Sequence, residues 1–162
     1  EGPKNIEQTT RIADGWLPLF VSPDRFHVFD DSLGGRGPDF QINAMVIASP
    51  ANTVAEGLAP IKKMLAFYVG GMGSKEDNFH KNLMGRLGFA DAAQEIQDHF
   101  LAGRRAEAIN AVPDALADEI ALVGPREHIR DRLAVWKKSP VTSLSIATRD
   151  PELLRFIAEA AL

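Results

Sequence analysis

The sequence predicts an α/β protein, part of a (β/α)8 TIM barrel with about three parallel strands and a helical insertion. Three observations point there: apolar runs alternate with amphipathic helical stretches, Gly-Pro pairs stand at the heads of two helices, and the strands are too few for a closed sheet. Alternation of strand and helix calls for parallel strands joined by right-handed crossovers, as in a doubly wound sheet or a barrel. Three parallel strands leave two bare edges. A whole barrel takes about 250 residues or more, and this chain has 162. Somewhat under half of a barrel is the economical reading.

The elements follow in order. After Gly2-Pro3 the spacing of Ile6, Thr9 or Thr10, and Ala13 predicts a helix, because Pro suits a first turn whose N–H would be unpartnered anyway. Gly-Pro is punctuation between elements, and the strand expected before it is absent, so the opening reads as a cut end. A strand is expected at Gly15 to Phe20. Residues 23–39 hold three Gly and two Pro and read as loop, with one short helix around Asp24 to Leu33. Phe40 to Ala48 combines alternation with a closing apolar run, the pattern of a strand buried on both faces. Asn52 to Tyr68 carries Val54, Leu58, Ile61, Leu65 and Tyr68 on one side of a helix. The glycines after it break that helix before further ones at Lys75 to Leu87, Ala90 to Ala102, Arg104 to Val112 and Asp114 to Ala121. A short apolar run and a second Gly-Pro lead into a helix ending at Lys138, with Ile129, Leu133 and Trp136 inward. Val141 to Thr148 is the last strand, and Pro151 to Leu162 the last helix. The insertion spans about residues 52–122 of a single domain running 1–162.

Composition narrows the function. Lys plus Arg number 18 against 22 Asp plus Glu, with the signs interspersed, so no basic stripe suggests nucleic acid as a partner. No apolar run approaches the roughly 20 residues of a membrane span. With no cysteine there are no disulfides or thiolate metal sites, which fits a reducing cytoplasm. His27, His80, His99 and His128 show no metal spacing, and Glu95 with His99 reads as an i,i+4 surface pair, so no metal is expected. Gly70, Gly71 and Gly73 lack both the preceding strand and the closing Lys-Ser/Thr of a P-loop. They read as a helix break shaping the insertion near a substrate entrance. Gly124-Pro125 serves to start a helix.

Residues 1–20, "EGPKNIEQTTRIADGWLPLF", and residues 65–144, from "LAFYVGGMGS" to "SPVTSL", resemble the C-terminal half of luciferase-like monooxygenases. Within that superfamily they look most like the oxidoreductases dependent on coenzyme F420, a deazaflavin. The resemblance covers nearly the whole chain and is weakest from Arg25 to Pro38, where a longer helical segment is expected. It implies a (β/α)8 barrel with the cofactor ring at the C-terminal mouth, and hydride transfer to or from the deazaflavin with a small organic substrate packed against the ring. FMN is the alternative cofactor.

The resemblance also implies that Gly2, Pro3, Lys4 and Asn5 form a cofactor-binding turn, where backbone amides and a helix N-terminus face an anion. Lys4 would contact phosphate, or else be a solvated charge. Catalytic groups of the family lie in the N-terminal half, so none is assigned here, and the chain alone is expected to be inactive without that missing half. Three pocket candidates come from position. Ser49 and Arg149 each follow a strand, the end where barrels place reactive groups, although Arg149 beside Asp150 also reads as a local ion pair. Trp16 reads as pocket lining or as core packing. The expected whole is a cytoplasmic homo-oligomeric enzyme. A non-catalytic half-barrel that covers its edges by pairing with its own copy is the competing reading.

Overall fold

A computed structural model describes residues 2–161. In chain order the elements are α1 (Pro3–Ile12), β1 (Gly15–Trp16), a 3-10 turn (Phe26–Phe29), α2 (Asp30–Leu33), β2 (Gln41–Pro50), α3 (Val54–Gly71) and α4 (Phe79–Met84). There follow a π-helical turn (Gly85–Phe89), α5 (Ala90–Leu101), α6 (Arg105–Asn110), α7 (Asp114–Glu119), β3 (Ala121–Gly124), α8 (Arg126–Trp136), β4 (Ser143–Ala147) and α9 (Pro151–Ala161). The chain divides into two compact units, residues 1–57 with 119–162, and residues 58–118.

The first unit is built on β2. All its pairings are parallel: Gly15 and Trp16 of β1 with Gln41 and Ile42, Asn43–Ile47 with β4, and Ile47–Pro50 with β3. Ile47 pairs with both Ala121 and Ala147, so β3 and β4 lie on opposite edges of β2. Strand alternation then sorts the side chains. Ile42, Ala44, Val46 and Ala48 are buried, while Gln41 before them and Met45 between them are exposed. Trp16 joins the buried set, edge-on to Phe29 at 5.1 Å between ring centres, and Phe26 meets Phe29 at 5.6 Å. Ile129, Leu133 and Trp136 of α8 and Leu153 and Ile157 of α9 complete this core.

Four strands are present among the described residues where about three are expected. Ala121 belongs to β3, not to the helix before it, and all four β3 residues are buried. The run is too short to show any period. The strand expected at 15–20 pairs regularly only at its first two residues, because Pro18 has no N–H to donate. Its carbonyl still accepts from Met45 N at 3.3 Å, and Leu19 bridges to Met45. The helix expected over 24–33 is split between the 3-10 turn and α2.

The second unit is helical, from Leu58 in α3 to Asp118 in α7, around Leu65, Leu83, Met84, Leu87, Ile96 and Leu116. The helix expected from Lys75 begins only at Phe79. Asn78, 1% exposed, fixes that start: its side-chain oxygen accepts from Lys81 N at 2.9 Å and its amide donates to the Val69 carbonyl at 2.8 Å. One buried side chain thus caps α4 and ties it to the end of α3. Within the π turn Gly88 takes φ 90°, which separates α4 from α5.

Candidate functional site

Chain direction gathers the candidate residues of the first unit at one end. In a parallel crossover each helix returns antiparallel to the strands, so helix N-termini stand at the strand C-termini. That end holds the start of α1, the segment after β1, the end of β2, the turn after β3 and the turn after β4.

At the start of α1, Gly2 is extended (φ −71°, ψ 152°), no side chain caps the helix, and its first turn carries no acidic residue. Asn5 N and Ile6 N donate back to the Gly2 carbonyl at 3.0 and 3.1 Å. Lys4 is exposed and makes no ion pair among the described residues. Together with the positive end of the helix dipole, this turn suits an anion.

Ser49 and Arg149 leave neighbouring strands at one level. Ile47 pairs with Ala147, and each candidate lies two residues beyond its member of that pair. Ser49 is half-buried, in register with Val123 of β3, and shares the face of Met45 and Ile47. Arg149 is exposed. Its neighbour Asp150 is engaged elsewhere, accepting from Glu152 N at 2.9 Å and Leu153 N at 3.1 Å as the cap of α9. Arg149 forms no ion pair with it among the described residues. Trp16 stands apart from these residues, in β1 in register with Ile42, and is 7% exposed. Lower on the open face, the Ser145 hydroxyl donates to Asn43 Oδ1 at 2.8 Å.

Sequence reasoning missed a polar network of this unit. Glu119, just before β3, is 9% exposed and accepts from Ser22 Oγ at 2.7 Å and from Arg25 Nε at 2.8 and 3.1 Å. Arg132 of α8 joins it, donating to Asp24 Oδ2 at 2.6 Å and to the Glu119 carbonyl at 3.4 Å. The hydrogen bond to Glu119 raises the Arg25 guanidinium above its ordinary pKa; burial opposes this, and the charges of Glu119 and Asp24 add to it. Each of these residues taken singly reads as a surface charge or, for Ser22, a loop hydroxyl, so no local signal announces the cluster.

Close backbone packing fixes the turn after β3. Gly124 takes φ 104°, and the Cα of Val54 lies 3.2 Å from where its Cβ would be. A Cβ on Gly57 would meet Gly124 N at 2.7 Å. Two glycines thus let the first turn of α3 touch the end of β3. Among the described residues no group of three or more His, Asp or Glu could hold a metal, and no helix is long and apolar enough to cross a membrane.

Residues 1–143 match the sequence model of the luciferase-like monooxygenase family. A protein of Mycobacterium tuberculosis named as a coenzyme F420-dependent oxidoreductase is 36% identical over 167 residues, covering 98% of this chain and 48% of that protein. Among solved structures, the coenzyme F420-dependent tetrahydromethanopterin reductase of Methanopyrus kandleri superposes with a TM-score of 0.67 at 21% identity, over 96% of this chain and 46% of that one. An F420-dependent secondary alcohol dehydrogenase, solved with an F420-acetone adduct, gives a TM-score of 0.60 at 12% identity, over 99% of this chain and 47% of that one. The chain spans about half the length of these relatives.

Proposed function

Because the chain belongs to the luciferase-like monooxygenase family, we propose that it is the C-terminal part of a coenzyme F420-dependent oxidoreductase acting on a small organic substrate. The 36% identity to the mycobacterial protein over nearly the whole chain carries this reading. When bound, the deazaflavin supplies or accepts the hydride. The uncapped start of α1 fits an anionic part of such a cofactor, with Gly2, Pro3, Lys4 and Asn5 as the holding turn. Ser49 and Arg149 line the substrate side of the mouth, and Trp16 supports β1 from the core.

The chain acts as one C-terminal portion of the barrel, with its helical insertion at about 52–122. Proton-transfer groups come from the remaining half, so the 162 residues alone do not turn over. A surface suited to that half exists. β4 pairs only with β2 among the described strands, and a groove of about 410 Å³ lined by Trp136, Leu144, Ile146 and Leu154 opens beside it. The complete enzyme is a cytoplasmic homo-oligomer, a placement that accords with the absence of cysteine.

The test is a fluorescence titration of the full-length protein with F420 and, separately, with FMN. Saturable F420 binding at micromolar concentration supports the reading. Tight FMN binding with no response to F420 replaces it by the FMN-dependent branch.

A further inference from the structure

We infer that Glu119 is a positioning residue that presets the loop Phe20–Arg25 at the cofactor mouth, an inference that rests on the F420 reading above. β2 offers one edge to two segments in succession. Leu19 bridges to Met45, and β3 begins at Ala121 opposite Ile47. Both Met45 and Ile47 pair with β4 on their other side, so the β1 segment and β3 share a single edge. The chain from β1 must leave that edge within two positions of β2 to make room for β3.

It leaves at Phe20. This residue is 4% exposed and takes φ 59°, the one non-glycine residue with positive φ among the described residues. For a bulky side chain that conformation is strained and persists only where the surroundings over-determine it. Two residues further on, the Glu119 network holds the same segment. Ser22 and Arg25 both donate to the Glu119 carboxylate, and Arg132 holds Asp24 between them. The carboxylate that receives the loop belongs to the residue two before the start of β3. The departure of one segment and the arrival of the other are therefore coupled through one side chain.

The loop lies at the strand C-termini, where barrels build their sites, between the α1 turn and the Ser49 end of β2 in chain order. A loop with so defined a shape at that place sets the wall against which the cofactor rests. Glu119 acts through it and touches no reacting atom.

The experiment uses the full-length protein, with F420 as the probe. Glu119→Gln and Ser22→Ala are compared with Leu153→Ala, a variant at a buried position of α9, outside the Glu119 network, that should lower thermal stability. The expected result is an F420 dissociation constant raised about tenfold by Glu119→Gln and less by Ser22→Ala, with Leu153→Ala at the wild-type value despite its lower Tm. Ser22→Ala keeps the Glu119–Arg25 pair and remains informative where Glu119→Gln fails to fold. Wild-type affinity in Ser22→Ala together with any folded Glu119→Gln, or equal weakening by Leu153→Ala, overturns the inference. Failure of the wild-type protein to bind F420 at all overturns instead the reading on which it rests.

Discussion

Glu119 receives the Arg25 Nε–H through both carboxylate oxygens, at 2.8 and 3.1 Å, across 94 positions of sequence. The partners differ in exposure, 12% for the Glu119 side chain and 37% for that of Arg25. Removing the more exposed partner therefore takes this cation from the more buried carboxylate, and Arg25→Ala should cost about 2 kcal/mol, below the full penalty of a wholly buried pair because Ser22 still donates to Glu119 and water reaches the site. Urea denaturation checks this. A midpoint unchanged from wild type would mean that the pair is merely a surface contact.

The approach of α3 to β3 gives a steric prediction. A Cβ on Gly57 would lie 2.7 Å from Gly124 N and 3.0 Å from Val123 Cβ. Backbone is one of the atoms met, so no rotamer relieves the clash, and Gly57→Ala should destabilise by about 1–3 kcal/mol although alanine favours helix. Thermal unfolding measures it. A gain in Tm would show that α3 shifts freely away from β3.

Much of the fold is legible in the sequence because each long element declares its own period. α1, α5 and α9 carry apolar faces, and β2 alternates from Gln41 to Ala48 before its polar end. β3 is hidden because four buried residues have no period, and its strand character comes from pairing with β2. The late start of α4 is hidden for a similar reason. Asn78 caps it only because the carbonyls of Tyr68 and Val69 receive its amide, a contact with another helix. Ser49 and Arg149 can be picked out singly as residues after strands, whereas their common level needs the register of β2 with β4. The Glu119 cluster joins sequence positions 22, 25, 119 and 132, and nothing local marks them as partners.

The uncapped start of α1 makes an electrostatic prediction for the full-length protein. Lys4 is exposed and the first turn of α1 carries no acid, so a bound anion there gains from one point charge and the helix end. Lys4→Ala should weaken F420 binding about three- to tenfold, and the loss should shrink as salt rises and screens the charge. Titrations at two ionic strengths test both parts. An effect of equal size in high salt would assign Lys4 a packing role.

β4 provides the last prediction, through its contrast with β2. Ala44 and Val46 are fully buried, yet their register partners Leu144 and Ile146 are only half-buried and border the groove of about 410 Å³. Leu154 of α9, 47% exposed, stands on the same groove. A strand with one bare edge and a half-covered face opens locally more often than one paired on both sides. In the 162-residue chain, amide hydrogen exchange should therefore run faster in Ser143–Ala147 than in the β2 residues Asn43–Ile47. In the full-length protein the rest of the barrel should slow β4 toward the β2 rate. Equal protection in the short chain would mean that the edge is already covered, and a rise of that protection with protein concentration would identify the cover as a second copy of the chain.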